Sequence, residues 1–337
     1  MNEESKIISL ISGVLPRSTQ QINRLFEADS EVIRYRGGKL LYNIDEFSQE
    51  DLFRDDDPYT LGWNIAVGAI SDILATGGTP LYYAHSLVVS KNWTEDYIKL
   101  FAAGIADVLK KAGVSFIGGD FGRSEIWRCT ATVIGELEGE PLMRSGARAG
   151  DSIYISGRIG LGNIEAGLKL YADKKLLKKL TQPVKNRFAL RMEEALMIKE
   201  YASSCIDTSD GVFNALNAIS EMSNTGYIID DLPYIKAGLL LAKALSMPRT
   251  LLFLGECGEY ELLFTVRKEI EADFLNKAKE NNLVYYKIGE VTERSVRVLN
   301  EDGKKYGLSN LNIRARDFDF PKEYLNGLTA FLKRCTL

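Results

Sequence analysis

Residues 58–78 read PYTLGWNIAVGAISDILATGG, and this stretch decides the fold. Pro58 suits the first turn of a helix, where its missing N–H costs nothing, and Gly77-Gly78 stops one, so a helix over 58–75 is predicted. On it Ile65, Ala69 and Asp72 are three and four residues apart and share a face. Gly62, Ala66, Gly68, Ala69 and Ala75 let another backbone approach closely. Before this helix, Val32 to Tyr35 and Leu40 to Ile44 read as strands around Gly37-Gly38, a hairpin whose second strand delivers Asp45. After it come a strand over 81–89, a helix over 95–112, a buried strand at 114–117 ending at Asp120, and a strand over 127–137. The expected unit is α+β with a mixed sheet, preceded by a helix over 4–14.

A second set of elements starts with a strand at 152–156, followed by Gly157-Arg158-Ile159-Gly160-Leu161-Gly162 and a helix. Helices near 186–201, 211–223, 235–245 and 268–281, with strands at 226–229, 261–266 and 284–299, complete an α/β unit. Pro141 to Asp151, rich in Gly and Arg, links the two sets, so the domains are placed at 1–146 and 147–337. A chain of 337 residues is long for one domain and comfortable for two.

A net charge of −4 and a pI near 5.4 provide no electrostatic footprint for nucleic acid. The basic cluster Lys174, Lys175, Lys178 and Lys179 reads as a solvated helix face. No window reaches the length of a membrane span and the N-terminus has no leader pattern, so a cytoplasmic protein is expected. Cys129, Cys205, Cys257 and Cys335 form no CxxC pair, which argues against a zinc site or a disulfide framework. His85 is the only histidine. It is read as a strand residue, and its solitude excludes any chemistry needing a histidine pair.

Isolated aspartates beside small residues recur along the first two thirds: Asp29, Asp45, Asp72, Asp120, and the pair in Asp207-Thr208-Ser209-Asp210-Gly211. Several end apolar stretches, where an ionised carboxylate is costly to desolvate unless a positive group meets it. Magnesium, held by oxygen ligands from separate elements beside nucleotide phosphates, fits. In Gly118-Gly119-Asp120 the glycines let a phosphate reach the backbone while the aspartate holds a metal. At 207–211 a helix start is expected, where Ser209 can cap or donate to a phosphate. Arg144 and Arg148 lie in the interdomain loop and can neutralise phosphoryl charge. The 157–162 turn departs from G-x-G-x-x-G, and either seats the domain or grips a phosphate. No P-loop sequence is present.

Taken together, these segments resemble the PurM-like superfamily of aminoimidazole ribonucleotide synthetases, hydrogenase maturation factor E, selenophosphate synthetase and thiamine-monophosphate kinase, and the last in particular. Gly-Gly-Asp, Arg-Ser-Gly-Ala-Arg-x-Gly-Asp and Asp-x-Ser-Asp-Gly stand unbroken at 118–120, 144–151 and 207–211. Asn43-Ile44-Asp45 and Ala69-Ile70-Ser71-Asp72 are similar to two further motifs, in the family's order. The resemblance implies that Asp29, Asp45, Asp72, Asp207 and Asp210 bind magnesium, that Gly119, Asp120, Arg144 and Ser209 hold ATP, and that Asp210 and Arg144 serve catalysis. It implies a homodimer in which two N-terminal sheets close into a barrel, with a C-terminal α/β domain beside it.

The same resemblance locates the departures. The family's substrate-contacting histidine falls on Leu52, a substrate-side glutamate on Gly258, and a tryptophan on or near Phe318, while the first aspartate of an N-terminal pair is Ala28. The expected function is ATP- and magnesium-dependent phosphoryl transfer to a small-molecule acceptor, with thiamine monophosphate the family's own and an altered acceptor open. Two alternatives stay open: activation of an amide or carbonyl oxygen by ATP, and nucleotide binding without catalysis.

Overall fold

The computed structural model describes residues 3–171 and 186–336. The lysines at 174–179 read as a solvated face lie outside the described residues. Helix α1 (Glu3–Ser12) leads through a loop to the hairpin β1 (Glu31–Tyr35) and β2 (Gly38–Ser48). Arg36 and Gly37 turn it, both at positive φ, as a two-residue hairpin connection requires. β2 runs on to Ser48, so Asp45 stands inside the strand opposite Ala131 rather than at its end. It shares the inward face with Leu41, Asn43 and Phe47.

Helix α2 spans Pro58–Ala75 as predicted, with the Asp57 side chain capping its first turn and Gly77 at φ +81 just beyond its end. It is buried almost all round, the signature of a central helix. Strand β3 (Thr79–Ser90), helix α3 (Glu95–Ala112), β4 (Ser115–Ser124) and β5 (Arg128–Glu136) follow. Gly62 and Gly104 set the α2–α3 contact: a Cβ at either would sit 2.0 Å from the facing helix's carbonyl oxygen, of Phe101 or Tyr59.

The first sheet has the order β1-β2-β5-β3-β4, with only β3 and β4 parallel across the α3 crossover. β4 is therefore an edge. The strand read as buried at 114–117 instead exposes Phe116, Ile117 and Phe121 at 55%, 55% and 65%, because α2 and α3 cover only the sheet's other face. Tyr42, Ile44 and Tyr82 are exposed too. Within this chain the sheet is open.

The second sheet is built from β6 (Ser152–Ile155), followed by helices α4 (Leu161–Leu170) and α5 (Met192–Tyr201), then β7 (Ala202–Asp207). Next come α6 (Val212–Ser223), β8 (Gly226–Ile229), α7 (Lys236–Ala244), the short α8 (Leu251–Leu254) and β9 (Leu262–Val266). The chain continues through α9 (Glu271–Glu280), β10 (Tyr286–Thr292), β11 (Arg297–Glu301), β12 (Lys304–Gly307) and α10 (Pro321–Arg334). Its order is β12-β11-β8-β10-β6-β9-β7, and only β8–β11 is parallel. Strands and helices alternate in sequence, yet the sheet is mostly antiparallel.

The segment 186–191, expected as helix, has no regular secondary structure. β7, expected as no strand at all, carries Ser203 and Ser204 inward, where both hydroxyls bond Thr265 Oγ1 at 2.7 Å. One apolar core runs from Val32 and Leu41 through α2 to Tyr154, Phe264 and Phe274, so the two sheets share it. Across it Trp63 Nε1 donates to the Phe188 carbonyl at 2.8 Å, and Phe188 N donates to Asn64 Oδ1 at 2.9 Å.

Candidate functional site

Four aspartates converge where α2, β2 and β7 meet the loop before β1. Asp72 comes from the last turn of α2, Asp45 from the inward face of β2, Asp207 from the end of β7 and Asp29 from the loop. Single carboxylate oxygens of Asp29, Asp72 and Asp207 lie within 4.8 Å of one another. The interdomain link brings the cation: Arg144 N donates to the Glu27 carbonyl at 2.8 Å, while Cys205 N donates to the Met143 carbonyl at 3.0 Å. Arg144 Nε then donates to Asp29 Oδ1 at 2.6 Å, with Nη2 on the same oxygen. Asp207 N donates to Asp29 Oδ2 at 3.0 Å.

Asp45 and Asp207 each have polar neighbours that orient them. Asn43 Nδ2 donates to Asp45 Oδ2 at 2.8 Å, and Ser71 Oγ donates to Asp207 Oδ2 at 2.5 Å. Ser209 N donates to Asp207 Oδ1 at 3.2 Å. Burial, set against this support, pushes Asp45 and Asp207 up to about 6. It raises Asp29 as well, and lifts Asp72 well above the carboxylate range, with the charges of Asp45, Asp207 and Asp29 adding to the effect. Burial works against the Arg144 cation, which Asp29 and then Asp72 and Asp207 hold charged. One guanidinium is too little positive charge for so many carboxylates. The donor set, oxygen only and from four separate elements, fits a hard divalent ion such as magnesium.

The aspartates line a cleft of about 1350 Å³, together with Arg144, Ser209 and Asp210. Ser209 and Asp210 stand exposed in a turn closed by Gly211 N donating to the Thr208 carbonyl at 3.0 Å, and α6 starts only at Val212. Leu52 and Gly258 line the same cleft, as does Ala28. Gly258 admits no side chain: a Cβ there would sit 1.5 Å from the Thr208 carbonyl oxygen.

The structure does not bring every expected residue to this cleft. Gly119 and Asp120 lie on the exposed β4 edge, Asp120 opposite Ser86. Phe318 packs beside Tyr324, ring centroids 6.2 Å apart, while Arg314 and Arg316 before it reach the cleft. Arg314 pairs with Glu256 at 3.6 Å. The sequence reading passed over Arg314, for which no spacing signal exists; Asn43 and Tyr260 lie inside motifs of the resemblance but were given no role. The glycine turn at 157–162 seats its domain: Gly160 N and Gly162 N donate to the Glu259 carboxylate at 3.1 Å, leaving those groups no phosphate to grip.

Residues 27–137 match the family of AIR synthase related proteins in its N-terminal domain, and residues 148–300 match its C-terminal domain. The thiamine-monophosphate kinase of Pyrococcus horikoshii is 30% identical over 284 residues, covering 81% of this chain and 89% of its own. That of Bacillus subtilis is 30% identical over 254 residues, covering 71% and 75%. A solved structure of AaThiL complexed with AMPPCP and TMP superposes with a TM-score of 0.72 at 26% identity, over 90% of this chain and 96% of that one. Escherichia coli HypE, a hydrogenase maturation protein, shares the fold at 18% identity and a TM-score of 0.68. The chain belongs to the AIR synthase-related family, in its thiamine-monophosphate kinase branch.

Proposed function

We propose that the protein is an ATP- and Mg2+-dependent kinase that transfers the γ-phosphoryl group of ATP to thiamine monophosphate, giving thiamine diphosphate. The observation that carries this reading is the buried Asp29–Asp72–Asp207 cluster, with Asp45 beside it and Arg144 bound to it, in a chain aligned with thiamine-monophosphate kinases over most of its length. Bound Mg2+, held by Asp29, Asp45, Asp72, Asp207 and Asp210, would neutralise phosphate charge. Arg144 spends two N–H groups on Asp29 and turns the rest of its guanidinium to the phosphoryl oxygens. Ser209 donates to the nucleotide from the 208–211 turn. An oxygen of the acceptor's phosphate attacks the γ-phosphorus and ADP leaves, a displacement governed by positioning and charge rather than by a covalent enzyme intermediate.

The dimer belongs to this proposal. An edge strand with three exposed aromatic or aliphatic side chains beside an apolar outer sheet face is a surface made to be covered, and a second copy pairing sheet to sheet closes it into a barrel. Gly119 and Asp120 keep a nucleotide role only where the β4 edge meets the mouth of a cleft, which such an assembly supplies. The domain boundary is placed at 146/147. The four free cysteines suit the reducing cytoplasm, and no helix among the described residues is long and apolar enough to cross a membrane.

One observation favours a changed acceptor within the same chemistry. Gly258 has no room for a side chain, and Leu52 offers no hydrogen bond, so two polar contacts expected on the acceptor side are replaced. Transfer from γ-labelled ATP, with thiamine monophosphate run against other phosphates, alcohols and carboxylates, decides. Label in thiamine diphosphate supports the proposal; label only in another compound assigns a different acceptor.

A further inference from the structure

Tyr260 stands at φ +58, in the left-handed region that an aromatic residue rarely occupies and that persists only where the surroundings impose it. Its neighbours impose it. Gly258 N donates to the Ser209 carbonyl at 3.1 Å, and Glu261 N donates to Thr208 Oγ1 at 2.9 Å, so both flanks of Tyr260 are tied to the turn that follows Asp207. Arg191 holds the Glu261 carboxylate through Nε at 2.7 Å and Nη2 at 2.6 Å. The ring is gripped by Phe188, centroids 5.3 Å apart, and Phe47, 6.4 Å apart.

The hydroxyl end points past α2. A Cβ on Gly68 would lie 2.9 Å from Tyr260 Cζ, so the phenol passes α2 at its glycine, three residues before Ser71 and four before Asp72. Tyr260 lines the cleft that the aspartates and Gly258 line. It makes no hydrogen bond among the described residues. Burial, with the charges of Asp45 and Asp207 adding to it, keeps the phenol protonated far above the usual range. A neutral donor fixed in a cleft of carboxylates has one suitable partner class, an anionic oxygen brought in with its own counter-ion.

We propose that the Tyr260 hydroxyl donates a hydrogen bond to a phosphate oxygen of the acceptor, fixing that phosphate over the aspartate cluster; this contact rests on the kinase reading above. The strained backbone is how the chain delivers a rigid donor there. The hydrogen bond to a charged oxygen makes Tyr260→Phe lower kcat/KM for the acceptor by roughly 10- to 100-fold. KM for ATP, Mg2+ affinity by calorimetry and the melting temperature stay at wild-type values, because the phenyl ring keeps its packing. An acceptor kcat/KM within twofold of wild type overturns the proposal, as does a loss of Mg2+ affinity parallel to the loss of rate, which would mark a structural role. A second arm measures inorganic phosphate binding to both full-length proteins with Mg2+ present. If the wild type fails to phosphorylate thiamine monophosphate, the acceptor assignment falls, yet weaker phosphate binding by Tyr260→Phe still supports the contact and equal binding overturns it.

Discussion

Replacing Arg144 with alanine leaves the Asp29 carboxylate buried beside Asp72 and Asp207 with no cation. Removing one partner of a buried ion pair costs about 3–5 kcal/mol, and we expect that loss in metal-free protein, with much of it restored by Mg2+ in a thermal melt. Asp72→Asn and Asp210→Asn should each abolish turnover and leave the circular-dichroism spectrum unchanged; wild-type rates in both would remove the metal assignment. The pH dependence has a defined sign. Asp45 and Asp207, raised from 3.8 to about 6, add stability below the unfolded value that is lost as pH rises through about 6. Metal-free protein should therefore melt at falling temperature as pH increases from 4 to 7, and Mg2+ should bind more tightly over that interval, since its ligands shed protons. The aspartates were legible in the sequence because each stands beside small residues and turn formers. Arg314 was not, and the roles of Asn43 and Tyr260 inside their motifs were not, because a polar side chain's partner lies elsewhere in the chain and no local pattern announces it.

Helix α2 shows how far local rules carry. Pro58 and Asp57 open it, Gly77 ends it, and its small residues are where they are because α3, Phe47 and the Tyr260 ring come within contact of its axis. Gly104→Ala forces α2 and α3 apart, and overpacking of this kind costs about 1–3 kcal/mol, readable as a lower denaturation midpoint. The start of α4 offers a second test. Glu259, buried against Gly160 and Gly162, is pushed up to about 8. Its contribution to stability is lost as pH rises through about 8, and Glu259→Gln should flatten the stability profile between pH 4.5 and 8. Strand β7 escaped the sequence reading because Ala-Ser-Ser-Cys-Ile-Asp has a weak strand preference, and its pairing with β9, joined by the bonds from its serines to Thr265, makes a buried strand of it.

At the scale of the molecule, the open first sheet is the feature to be explained. Tyr42, Ile44 and Tyr82 on its outer face, with Phe116 and Phe121 along the free edge, predict a dimer by analytical ultracentrifugation. Ile44→Lys combined with Tyr82→Lys should give monomers, and should raise KM for ATP if Gly119 and Asp120 act across the interface. A monomeric wild type with full activity would refute the arrangement. The two sheets meet over one core through α2, so the carboxylates of both halves are set on the same packed core.

The sequence by itself determined the two groups of elements, the central helix, the aspartates and the family, because caps, glycine stops, hydrophobic periods and ordered motifs are local properties of the chain. It did not determine that β4 is an exposed edge, that Asp120 and Phe318 stand away from the cleft, that the 157–162 glycines receive Glu259, or that Tyr260 faces the aspartates. Those follow from which elements lie side by side, and contacts between residues tens to hundreds of positions apart are decided only when the whole chain packs.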